Sequence, residues 1–138
     1  YLEEAGVIFL VPFFSYSLKK QQANPKKVYT IDNGLRNAVC FRFSQDEGKL
    51  VENLVFLELK RREKEVYYWK GKGEVDFVVK DEMAINVSYT NDIAEREVNS
   101  LLELKNEFKG RLIIITRDLE KSEKGIEFIP LWKWLLEE

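Results

Sequence analysis

GEVDFVVKDEMAINVSYT, residues 73–90, reads as two strands, EVDFVVK (74–80) and MAINVSY (83–89), joined by a tight polar turn. Both runs are rich in β-branched and aromatic residues. Side chains alternate across a strand, so the turn length fixes which residues share a face, and a slip of one residue reverses them all. With Asp81, Glu82 and Met83 as the loop, Val75 stands opposite Tyr89, Phe77 opposite Val87 and Val79 opposite Ile85, making one wholly apolar face. The other face pairs Asp76 with Ser88 and Val78 with Asn86. An even loop would mix apolar and polar positions, so the odd loop is expected, with Asp76, Asn86 and Ser88 in a row on the inner face.

On the N-terminal side, Leu50, Val51, Leu54, Val55 and Leu59 follow a helical period from about residue 48 to 63, and Lys60, Arg61 and Arg62 suit a helix C-terminus. Glu52 falls within about 60° of Val55, Phe56 and Leu59 on that helix, so it leans toward the buried side. A carboxylate taken from water costs several kcal/mol unless a cation, a metal or several donors offset it. Asp76, on a strand expected to be central, faces the same cost. A shared divalent cation would serve both acids; the helix dipole or a Lys or Arg partner would serve either alone.

The remaining elements follow from the same rules. EVYYWK (65–70) is a strand preceding the hairpin. Asp92 and Glu95 have capping-box spacing, and Ala94, Val98, Leu101 and Leu102 continue one apolar side of a helix to about Phe108. RLIIIT (111–116) is a continuous apolar run, as in a strand covered on both faces. RDLEKSEKG is polar, IEFIP (126–130) is expected at a sheet edge, and LWKWLLEE forms a short terminal helix. Upstream, VIFLVPFFSYSL contains Pro12, which favours a break or an edge strand. KKQQANPKK reads as the exposed tip of a hairpin closed by KVYTI (27–31), and Asp32 can cap a short helix through Val39. The expected fold class is α/β, a mixed sheet flanked by helices in the order αβββαβ, plus a final strand and helix.

At 138 residues the chain is about one domain, able to bury roughly two-thirds of its unfolded surface. Its 22 basic residues balance 24 acidic ones, so any nucleic-acid surface must be a local patch. The lone Cys40 excludes an internal disulfide, and the lack of His and of Cys pairs excludes the usual zinc spacings; a cytosolic, non-membrane protein is expected. No GxxxxGK[ST] loop is present, so ATP is not expected to bind this chain through one. The chain opens at Tyr1, and YLEEAG reads as the end of an amphipathic helix closed by Gly6, which suggests a piece of a longer polypeptide.

LVENLVFLELKRR (50–62), EVYYWKGKGEVDFVV (65–79), INVSYT (85–90) and FIPLWKWLL (128–136) together resemble the C-terminal domain of the archaeal AAA+ ATPase family. VIFLVPFFSYSLKKQQANPKKVYTIDNGLRNAV (7–39) resembles the end of that family's winged helix and the connection after it. The resemblance implies a partial winged helix over 1–40, contributing a β-hairpin, and a restriction-endonuclease-like domain of the PD-(D/E)xK type over 41–138. It implies a site in which Glu52 is the helix acid, Asp76 the strand acid, Asn86 the position of the second strand acid and Ser88 the position of the lysine. The last two depart from the pattern.

The resemblance further implies Mg²⁺ as the cofactor, held by Glu52, Asp76, the Asn86 side-chain oxygen and the Val87 carbonyl, and activating water for attack on a phosphodiester. With one charge missing and no lysine at residue 88, the expected function is a catalytically weak or inactive nuclease-like module. Such a module would dock on or regulate the ATPase of its own polypeptide and contact DNA through Lys19, Lys20, Lys26 and Lys27 at the hairpin tip. Two alternatives stand beside it. One is an active Mg²⁺-dependent DNA endonuclease using Glu52, Asp76 and Asn86 with an unidentified cation, for which Lys80 on the face of Asp76 and Arg96 on the next helix are candidates. The other is a protein-interaction module using whichever of Trp69, Trp132 and Trp134 are exposed.

Overall fold

A computed structural model of the protein describes residues 8–30 and 47–137. The helix end at YLEEAG, the helix expected from Asp32 to Val39, Cys40 and the 40/41 boundary lie outside these residues.

The described elements, in chain order, are β1 (Ile8–Val11), α1 (Leu18–Ala23), β2 (Lys27–Thr30), α2 (Glu47–Arg61), β3 (Tyr67–Lys70), β4 (Glu74–Val79), β5 (Met83–Val87), α3 (Glu95–Lys105), β6 (Arg111–Thr116), β7 (Lys121–Glu123), β8 (Ile126–Pro130) and α4 (Leu131–Leu136). Six strands form one sheet in the order β3-β4-β5-β6-β8-β7. Its β3-β4-β5 side is antiparallel, as tight turns require, whereas β5-β6 and β6-β8 are parallel. The parallel step from β5 to β6 is made through α3. The architecture is mixed α/β with helices on both faces.

The parallel strands show why. In β6, Ile113 and Ile115 pack in one core with Val51, Val55, Phe56 and Leu59 of α2 and Trp134 of α4. Leu112 and Ile114, on the other face, pack with Leu101 and Leu104 of α3. A strand buried on both faces cannot alternate apolar with polar residues, which accounts for the run RLIIIT.

Several expectations need correction. The hairpin loop is odd in length, but Phe77 pairs with Ile85, Val78 with Ala84 and Val79 with Met83, a register two residues from the expected one, with Lys80–Glu82 in the loop. Asp81 there adopts φ 61°, a conformation open to Asp at low cost. IEFIP is an interior strand, because Lys121–Glu123 pairs with it from outside and takes the edge. The α3 cap is Ala94 and not Asp92; it makes no side-chain cap bond, and Glu95 and Glu97 in the first turn complement the dipole instead. KKQQANPKK is not a bare tip, since it holds most of α1, capped by Ser17.

The N-terminal pair is joined to the main sheet. β1 and β2 are antiparallel, and Val11 and Tyr29 enter the core shared with α2. After β1, the Tyr68 N–H donates to the Pro12 carbonyl (3.0 Å) and the Phe14 N–H to the Tyr68 carbonyl (2.7 Å), so residues 12–14 run along the outer edge of β3. Proline is tolerated there because its nitrogen has no hydrogen to place.

Candidate functional site

The acid of β4 is presented by a break in strand alternation. Tyr67 pairs with Val78 and Trp69 with Val75, so Tyr68 alone faces two residues, Asp76 and Phe77. That is a β-bulge, which re-aims the side chains at its position. The cores record it: Val75 packs on the α3 side, while Phe77 and Val79 pack on the α2 side. Strict alternation would have kept all three together, so the expected single row of Asp76, Asn86 and Ser88 is broken at Asp76.

Asn86 holds the bulge. Ladder pairing between β4 and β5 extends only to Phe77–Ile85. Beyond it the Asp76 N–H donates to Asn86 Oδ1 (3.0 Å), and the Val87 N–H donates to Asp76 Oδ2 (2.9 Å). Asn86 Nδ2 donates to the Glu97 carbonyl (3.0 Å) and to Ser100 Oγ (2.9 Å), tying β5 to α3. The amide is fully buried and every one of these bonds is internal. Gly73 permits the close approach of the β3–β4 turn to the same helix, since a Cβ there would lie 2.9 Å from Ser100 Cβ.

Asp76 opens into a cleft of about 430 Å³ lined by Lys27, Glu52, Gly73, Glu74, Asp76, Arg96 and Glu97. Loss of hydration, then the charge of Glu52, pushes the Asp76 carboxyl up to about 7, against the Val87 N–H bond and Lys27, which favour its ionised form. Glu97 is raised too, chiefly by burial, and Arg96 opposes this. Glu52 accepts from the Tyr29 hydroxyl (2.8 Å), and Tyr29 stacks on Phe56 one helical turn further along α2 (centroids 4.7 Å apart). Burial and the neighbouring Glu52 hold that hydroxyl well above the usual tyrosine range.

Lys27, expected with Lys19, Lys20 and Lys26 at an exposed tip, lines the cleft instead, ion-paired with Glu74 and 4.9 Å above the Tyr68 ring. Burial holds its ammonium below the ordinary lysine range, while Asp76 and Glu52 favour its charge. Lys27 and Tyr29 alternate on β2, so both reach the acids while Val28 faces solvent. That alternation was visible in KVYTI, but not the surface it would meet. Lys19, Lys20 and Lys26 are exposed.

Of the expected site residues, Glu52 and Asp76 meet in one cleft. Asn86 lies behind it as a structural bridge, and Val87 gives its N–H to Asp76. Ser88 does not line the cleft; its N–H donates to the Ile115 carbonyl (2.9 Å). Arg96 lines the cleft but is largely exposed beside Glu97 (3.5 Å), and Lys80 lies over the Tyr16 ring, 5.6 Å from its centroid. The ligand set expected for Mg²⁺ is not assembled: Asn86 Oδ1 accepts from the Asp76 N–H, Lys27 brings an ammonium into the same cleft, and among the described residues no three Asp, Glu, His or Cys side chains are grouped to hold a metal. Trp132 is exposed, Trp134 and Trp69 are buried. Among the described residues no helix is long and apolar enough to cross a membrane.

The model of a family described as Domain of unknown function (DUF4143) matches residues 47–134, more than half of the chain. The chain is 35% identical to Uncharacterized protein MJ1544 of Methanocaldococcus jannaschii, an alignment covering 99% of this chain and 34% of that protein. It is 29% identical to an uncharacterized protein of Haemophilus influenzae, covering 99% of this chain and 35% of that protein. The chain thus spans about one third of the length of these relatives. No solved structure matches it.

Proposed function

We infer a function from the premise that this chain belongs to the DUF4143 family: it is a restriction-endonuclease-like module that has lost cleavage and serves a longer polypeptide by docking on or regulating an ATPase. The observation that carries the reading is the use of Asn86. Where the resembled nuclease pattern wants a second strand acid facing a metal, this chain has an amide spent on holding a bulge and a helix. Glu52 and Asp76 keep the places of the first two acids, no lysine follows on β5, and no step through a metal is assigned to the cleft. The length of the relatives leaves room for the ATPase that the sequence resemblance implies. Lys19, Lys20 and Lys26 offer exposed charge to a phosphate backbone in a supporting role.

One observation favours an active endonuclease instead. A carboxyl held near 7 in a cleft is the kind of perturbed group that catalytic sites carry. Calorimetric titration of the protein with Mg²⁺ and Mn²⁺, beside plasmid nicking at the same metal concentrations, separates the two. The expected result is neither stoichiometric binding nor nicking. Nicking that disappears in Asp76→Asn would overturn the reading and establish the endonuclease.

A further inference from the structure

We propose that the Lys27 ammonium is the resident cation of the acid cleft, supplied in place of a metal by the neighbouring hairpin, and that its removal opens a divalent-cation site on Glu52 and Asp76. The inference rests on the non-cleaving reading above and names what fills the site.

Two carboxylates from different elements, Glu52 of α2 and Asp76 of the β4 bulge, face one cleft, and the charge of Glu52 disfavours that of Asp76. Such a pair is stable only with a positive charge between its members or with a proton on one of them. Lys27 is the cation that the fold brings into this cleft, where its direct ion pair is with Glu74 and it acts on Glu52 and Asp76 across the shared space. It reaches the cleft from β2, a strand held against the core by Tyr29 stacking on Phe56 and by the Tyr29–Glu52 bond. Its head sits over Tyr68, whose hydroxyl donates to the Pro25 carbonyl (2.5 Å) and so ties the ring to the chain just before β2. Glu74 pairs with the same ammonium from the rim.

The placement is aimed, because Tyr68 is the residue opposite the bulge. The ring that carries Lys27 and the carboxylate that Lys27 serves are therefore set by a single irregularity. Arg96, the other cation of the cleft, is mostly solvent-exposed and leans on Glu97, so it does not fill this role. With the ammonium gone, Glu52 and Asp76 remain as two carboxylates in a cleft open to solvent, with Glu74 and Glu97 at its walls. Once no ammonium competes for them, two carboxylates completed by waters are the smallest protein ligand set that such a cation takes, fewer than the three grouped side chains of a dedicated metal site.

The test is Mn²⁺ binding, read by calorimetry and by the loss of free Mn²⁺ paramagnetic resonance signal, on the parent, Lys27→Ala, Lys27→Arg and the double variant Lys27→Ala/Asp76→Asn. Circular dichroism confirms that each variant is folded. Lys27→Ala is expected to bind one Mn²⁺ at least about tenfold more tightly than the parent, because a unit positive charge has been withdrawn from the same cleft. Lys27→Arg should behave as the parent, and the double variant should lose the gain. Should folded Lys27→Ala bind no better than the parent, or bind equally well with Asp76→Asn added, the resident-cation proposal is overturned while the non-cleaving reading stands. Tight Mn²⁺ binding with nicking by the parent itself would instead sink that reading and this inference together. To cover a Lys27→Ala that does not fold, Lys27→Met keeps the aliphatic stem on Tyr68 and must show the same gain.

Discussion

The β6 strand and the cleft end of β4 lie two strands apart in one sheet, yet they obey different rules. In β6 every residue from Leu112 to Thr116 is buried, Ile113 and Ile115 feed one core and Leu112 and Ile114 the other, and pairing with β5 and β8 runs without a break. In β4 a bulge shifts Asp76, the ladder to β5 stops one residue short of it, and side-chain atoms of Asp76 and Asn86 stand in for backbone partners. The first region is held by apolar area, and its buried polar side chain, Thr116, spends its hydroxyl on the Leu119 carbonyl. The second is held by hydrogen bonds that keep an acid at a cleft. The acid is displayed where the strand departs from regularity, because a regular strand beside α3 would have buried or averted it.

Three substitutions bear on that contrast. Ile113→Ala, in the regular region, should cost about 4 kcal/mol in urea denaturation, the loss expected for a large aliphatic group removed from a packed core. A cost below about 1 kcal/mol would mean that the parallel strands are not the stable part of the sheet.

Next in size is the pH response of Asp76. Its folded value, about 7, lies above the ordinary carboxyl value of 3.8, so the folded chain holds a proton that the unfolded chain has released between those two points. Stability should therefore fall as pH rises from about 4 to about 7, by roughly 3 kcal/mol in all, and level off above that. Glu97 shifts in the same direction and steepens the decline. Asp76→Asn should flatten most of it, whereas a parent whose stability rises across this window would contradict the assigned burial. Glu58, held down to about 2 chiefly by its bond to Arg61, acts at lower pH: its contribution is present above its unfolded value and fades as pH drops toward 2.

The smallest effect is expected for Asn86→Ala, about 2 kcal/mol, from stranding the Asp76 N–H and losing the bonds that tie β5 to the Glu97 carbonyl and Ser100 Oγ. Exchange of the Asp76 amide should speed up while the β6 amides remain protected. Equal acceleration in β6 would show that the bulge and the parallel core open together, erasing the distinction.

Much of this fold was legible from residues alone. The helical period of Leu50 to Leu59, the apolar run of β6 and the odd hairpin loop are local patterns, and each produced the expected kind of element. The hairpin register was missed by two residues because parity is blind to an even shift, and the unforeseen bulge then moved Asp76 relative to Phe77. IEFIP passed for an edge strand because KSE, with all three residues exposed, carries no apolar signal of its own. Glu52 and Asp76 were found by the cost of burying charge. Lys27 is expected at an exposed tip because a lysine near a turn looks the same whether it meets water or an acid.

By itself, the sequence determined most of the element types, though not α1 or β7, the two-sided burial of β6 and the presence of two acids needing compensation, since periodicity and desolvation act over a few neighbouring residues. Only the tertiary structure decided that Asn86 is a brace, that Asp76 turns on a bulge and that Lys27 and Tyr29 come from β2 to meet these acids. Those facts depend on contacts between strands and helices far apart in the chain, and no local pattern encodes which surfaces will touch.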